Sequence, residues 1–131
     1  MIKSINKESD VAIRVLKFIS RKQKMVTVKE LQQELNLPRP FLRKILQILA
    51  KKGFLISKKG KYGGFILAEK PEKIFIMDII NIFQKGLNFL NCIDENGNKC
   101  KEINVCKLRK ILIRLELIVK NEFLRTNIYN L

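Results

Sequence analysis

Apolar positions recur through the first fifty residues with the period of a helix. Ala12, Val15, Leu16 and Ile19 share one face at i, i+3, i+4, i+7 spacing, which predicts a helix over about Lys7 to Ser20. A second pattern opens at Thr27-Val-Lys-Glu30, a capping-box arrangement. The threonine hydroxyl can accept from the N–H at position 30, and the glutamate can reach back. Val28, Leu31 and Leu35 then line one face. Asn36-Leu-Pro38 interrupts it, and Pro38 and Pro40 suit the first turn of a third helix, where a missing N–H costs nothing. That helix turns Leu42, Ile45, Leu46 and Leu49 inward and Arg39, Arg43, Lys44, Gln47 and Lys51 outward, with Gly53 as its stop.

The period then changes. Phe54-Leu-Ile-Ser57 and Phe65-Ile-Leu-Ala68 are short strand candidates around the glycine-rich tip Lys58-Lys-Gly-Lys-Tyr-Gly-Gly64. Three helices followed by a two-stranded wing describe a winged helix-turn-helix. A fourth helix is expected around Met77 to Lys85, ending at Gly86. An Asn- and Gly-rich loop holds all three cysteines: Cys92, Cys100 and Cys106. A long final helix, about Cys106 to Leu124, has eight apolar residues among the twelve from Leu108 to Val119. That stripe is too wide for one packed face and predicts cover by a second subunit. The expected class is mainly α with a two-stranded β wing. Residues 1–72 form the winged helix-turn-helix, 73–106 the linking helix and cysteine loop, and 107–131 the dimerisation helix and C-terminal tail.

Charge sharpens this picture. Residues 1–70 carry 17 Lys and Arg against 5 Asp and Glu, whereas residues 71–131 carry 10 against 7. A concentrated basic half points to a polyanion, nucleic acid before membrane. A lysine-rich composition gives solvated faces as well, so charge alone favours nucleic acid only modestly. In a helix-turn-helix the second helix of the pair enters the major groove by its N-terminal end. Arg39 and Arg43 can fork onto guanine edges or phosphates there, beside Lys44, and Phe41 offers an apolar surface to a thymine methyl or packs between helices. Lys59, Lys61 and Tyr62 at the wing tip would meet phosphates or a narrow minor groove.

The longest apolar runs, Phe65–Ala68 and Ile74–Met77, are four residues, too short to span a bilayer. The N-terminal segment turns polar where a signal peptide needs an apolar stretch, so a cytoplasmic location is expected. In a reducing compartment clustered thiols point to metal or redox chemistry rather than structural disulfides. An enzyme is the least favoured class: the chain has no histidine and no tryptophan, no acid pair stands out, and a cysteine nucleophile would lack its usual base. No small organic substrate is expected.

The order of elements, with SDVAIRVL at Ser9–Leu16, RPFLRKILQIL at Arg39–Leu49, GFLISKKGKYGGFILA at Gly53–Ala68, PEKIFIMDII at Pro71–Ile80 and the three-cysteine loop, resembles the winged-helix regulators of the IscR/NsrR iron–sulfur family. The resemblance covers roughly the first 110 residues. It implies a homodimeric transcriptional repressor that binds double-stranded DNA at a pseudo-palindromic operator, and an iron–sulfur cluster, four-iron preferred and two-iron possible, held by Cys92, Cys100 and Cys106. IscR-type members carry a histidine three residues after the last cysteine; Arg109 stands there in this chain. In NsrR-type members the fourth ligand is an aspartate of the partner subunit at the start of the first helix. Asp10 falls on that position, with Glu8 a weaker candidate of the same kind. Nitric oxide, redox state and iron status are the signals implied. A cluster spreads several irons over a wider body than one zinc ion, which suits gaps of seven and five residues between the cysteines. The alternatives are a cluster-free thiol switch, pairing for example Cys92 with Cys100, and a regulator controlled by a partner protein.

Overall fold

The computed structural model describes residues 5–89, 92 and 96–131. Helix α1 (Lys7–Lys22) is capped by Asn6, whose side chain accepts from the Ser9 N–H. Its buried face, Val11, Ala12, Val15, Leu16 and Ile19, is the one the periodicity marks out. Helix α2 (Val28–Leu35) starts from Thr27, whose hydroxyl accepts from Glu30 N at 3.1 Å. Helix α3 (Arg39–Lys51) has Pro38 at its cap and Pro40 in its first turn, and buries Leu42, Ile45, Leu46 and Leu49. Gly53, at φ +86°, follows the end of α3 in the left-handed conformation that glycine adopts without strain.

The wing is an antiparallel pair, β1 (Leu55–Lys58) and β2 (Gly64–Leu67), registered Leu55 to Leu67 and Lys58 to Gly64. Each strand begins one residue away from its expected start. The N–H of Phe54 is taken by the Leu49 carbonyl of α3 at 2.9 Å, so the ladder starts at Leu55. A third stretch of chain joins the wing: Val26, just before α2, exchanges two backbone hydrogen bonds with Phe65, at 2.9 and 2.8 Å.

Past a short 3₁₀ turn at Pro71–Lys73, helix α4 (Ile76–Gln84) buries Ile76, Met77, Ile79 and Ile80. Lys85 and Gly86, both at positive φ, end it. Helix α5 (Lys107–Arg125) packs on α4 and buries only Leu112 fully, with Val119 and Phe123 partly packed on the core. The chain then turns back. Ile128 is buried, its N–H bonded to the Ile74 carbonyl at 2.9 Å, while Ile76 N donates to Thr126 O at 2.9 Å. The C-terminal end of α5 is thereby fastened to the start of α4, and the residues after it pack on α1. No described helix is long and apolar enough to cross a membrane.

Candidate DNA interface and cysteine segment

Two groups of the expected site residues sit at separate places in the fold. On α3, Arg39, Arg43, Lys44 and Gln47 are exposed along the face opposite the buried leucines. Arg43 and Gln47 line a groove of about 390 Å³ together with Val28, Ser57, Lys58 and Lys59, so α3 and the wing share one cationic cleft. Lys59 and Lys61 are exposed on the wing tip, and Tyr62 beside them is 81% exposed, with the Lys61 ammonium 5.7 Å from its ring centre. Phe41 is half-buried against the core, and Lys7 lies 5.3 Å over its ring, an inter-helix packing role.

The wing approaches α2 so closely because of one glycine. A β-carbon on Gly64 would lie 2.5 Å from the Val26 carbonyl oxygen, and its φ of +145° disfavours any side chain. The Val26–Phe65 bridge therefore needs glycine at 64, and it sets where Lys58 and Lys59 stand relative to α3.

The second group is the cysteine segment. Cys106 is the N-cap of α5: its sulfur accepts from Arg109 N at 3.4 Å, while its own N–H bonds Glu102 O at 2.8 Å. Cys100 donates its N–H to the Cys92 carbonyl at 2.8 Å, and accepts at its own carbonyl from Ile103 N at 3.1 Å. The segment from Cys100 to Cys106 is a succession of tight turns at the foot of the long helix. Cys92 and Cys106 are half-buried, Cys100 is exposed, and all three thiols are free. Among the described residues no three His, Cys, Asp or Glu side chains are grouped closely enough to hold a metal ion. In kind, three soft sulfur donors, two of them at the ends of the 101–105 turns, suit an iron–sulfur cluster.

The carboxylates lie elsewhere. Asp10 pairs with Arg14 one turn along α1 at 3.1 Å, an exposed contact. Glu8 pairs with Lys44 of α3 at 2.9 Å.

Two anchoring groups escaped the sequence reading. Gln84, at the end of α4, accepts from Asn6 N (2.8 Å) and from the Ser9 hydroxyl (3.0 Å), and the Asn6 side chain donates to Phe83 O. Asn6 stands just ahead of a helical pattern and was open to recognition as a cap; its partner 78 residues away was not. Glu116 of α5 accepts from Phe89 N at 3.2 Å and pairs with Lys120 at 3.0 Å. Partial burial raises its pKa, but the Lys120 and Phe89 hydrogen bonds outweigh this and hold the carboxyl below its ordinary value. The end of α4 is thus tied to the start of α1 through Phe83 and Gln84, and Phe89 beyond it is tied to α5 through Glu116.

A protein-family model described as an iron-dependent transcriptional regulator, Rrf2, matches residues 5–131. A protein of Aquifex aeolicus named as an HTH-type transcriptional regulator is 35% identical over 112 residues, spanning 84% of this chain and 77% of that protein. The transcriptional regulator NsrR of Geobacillus kaustophilus is 28% identical over 103 residues, 77% of this chain and 70% of that protein. Among solved structures, CymR, the global cysteine regulator of B. subtilis, superposes with a TM-score of 0.80 at 20% identity, over 98% of this chain and 95% of its own. The family match extends past the wing and through the cysteine segment to the last helix and tail. The chain belongs to the Rrf2 family of transcriptional regulators and is not an enzyme.

Proposed function

We propose that this protein is a homodimeric, DNA-binding repressor whose affinity for its operator is set by the state of Cys92, Cys100 and Cys106. The observation that carries the reading is the placement of Cys106. Its sulfur caps the helix whose exposed side bears Leu108, Ile111, Leu115 and Ile118, at the 3–4–3 spacing of a helix–helix seam. Whatever binds or modifies that sulfur acts at the foot of the dimer helix, and so on the separation of the two α3 helices across the dimer.

The NsrR relatives and the donor set favour an iron–sulfur cluster, four-iron in preference to two-iron, on the three cysteines and on Asp10 of the partner subunit. When bound, such a cluster supplies a centre that reacts with nitric oxide or oxygen and is lost when iron is scarce. Asp10 is available for that task, because an exposed ion pair with Arg14 costs little to exchange. Arg39, Arg43 and Lys44 on α3 would reach base edges and phosphates in the major groove, with Lys59, Lys61 and Tyr62 following the backbone. A cytoplasmic site of action accords with this role.

A second reading, a cluster-free thiol switch, is favoured by the Cys100–Cys92 hydrogen bond. That bond brings the Cys92 and Cys100 backbones into contact, as a disulfide between them would require.

Titration of a duplex selected by the protein from genomic fragments tests the DNA reading. Arg43→Ala should weaken binding at least tenfold, about the value of one good base contact. Equal affinity for Arg43→Ala would remove α3 from the interface.

A further inference from the structure

We infer that Glu8 is a charge gate on the DNA-facing helix: in the free protein it neutralises Lys44, and operator phosphate displaces it. The inference rests on the DNA-binding reading and names a residue that sets its strength. Lys44 lies on the same exposed face of α3 as Arg43 and Gln47, and its ammonium is 2.9 Å from a carboxylate of α1. The pair joins residues 36 apart in sequence, and a second contact accompanies it, Lys7 over the Phe41 ring. The first turn of α1 thus clasps the first turns of α3.

The two members of the pair are not equally free. Glu8 is carried on a turn fixed by the Asn6 cap, by Ser9 to Gln84 and by Asn6 to Phe83, and its side chain is 34% exposed. Lys44 is a long side chain, 60% exposed, on a stem with four rotatable carbons. When a phosphate arrives, the ammonium swings and the carboxylate stays. The cost of breaking the pair is then subtracted from the gain of the Lys44 phosphate contact, so Glu8 acts on DNA affinity through Lys44. The same turn is bonded to the end of α4 through Gln84 and Phe83, which holds Glu8 in place beside α3.

The full-length protein, Glu8→Gln, Lys44→Ala and the double variant would be titrated with the selected duplex over a range of salt concentrations. Glu8→Gln should tighten binding by roughly two- to fivefold, the range open to an exposed pair. The tightening should vanish in the Lys44→Ala background, and Lys44→Ala should reduce the salt slope by about 0.9, one phosphate. Equal tightening with and without Lys44 would mean a general loss of negative charge, and would overturn the gate. So would an unchanged salt slope in Lys44→Ala, or no tightening in Glu8→Gln. If the native chain binds no duplex at all, the DNA-binding reading itself fails, a result distinct from any of these.

Discussion

The sulfur of Cys106 accepts the backbone N–H of Arg109 at 3.4 Å, so a cysteine fills the capping position of α5. The cap and the proposed cluster ligand then rest on one side chain, and substitution separates them. Cys106→Ser should keep the cap, since a hydroxyl is a better acceptor than a thiol, and leave thermal stability within about 0.5 kcal/mol. Cys106→Ala should cost about 1 kcal/mol. Both should lose iron and acid-labile sulfide retention in protein purified without oxygen. A serine variant that keeps its full complement of both would separate Cys106 from the cluster.

The wing depends on Gly64 as the cysteine segment depends on Cys106. Gly64→Ala must move the Val26 carbonyl or bend β2, because the new β-carbon would sit 2.5 Å from that oxygen. Loss of at least about 2 kcal/mol in denaturant unfolding is expected, in the range of a strained backbone site. Gly60→Ala is the control: it has positive φ but open space around it, and should cost less.

Helix α5 predicts the oligomeric state. Leu108, Ile111, Leu115 and Ile118 are exposed in the single chain, next to the face that Leu112, Val119 and Phe123 turn inward. Ile118→Glu should convert the dimer to monomer at micromolar concentration in sedimentation, with the helical circular dichroism of the N-terminal elements retained. An unchanged dimer would place the seam elsewhere.

Much of this fold is legible in the sequence where interactions are local. The α1 face, the Thr27 cap, the proline start of α3 and the glycine after it follow from spacing and backbone preference, and the structure holds them within one or two residues. The contacts that escaped are non-local. Val26 pairs with Phe65, Ile128 returns to Ile74, and Asn6 meets Gln84; none leaves a periodic trace at either end. The site divides in the same way. The cationic face of α3 and the wing lysines are plain in the sequence. The Glu8–Lys44 pair is not, since a carboxylate in a helix's first turn has an adequate local explanation in the helix dipole.

The most direct test of the account compares operator affinity across cysteine states. The native protein, prepared without oxygen and reconstituted with iron and sulfide, would be titrated with its selected duplex before and after nitric oxide, and the reduced, cluster-free protein before and after a mild disulfide-forming oxidant. The Cys92, Cys100 and Cys106 triple serine variant would be carried in parallel. The account predicts a change of at least tenfold in the native chain, about 1.4 kcal/mol, in one or both treatments, and none in the triple variant. A response to nitric oxide alone selects the cluster, and a response to oxidant alone selects the Cys92–Cys100 thiol switch. Identical affinities in every state, with iron and sulfide present or absent, would contradict the claim that these three cysteines control DNA binding.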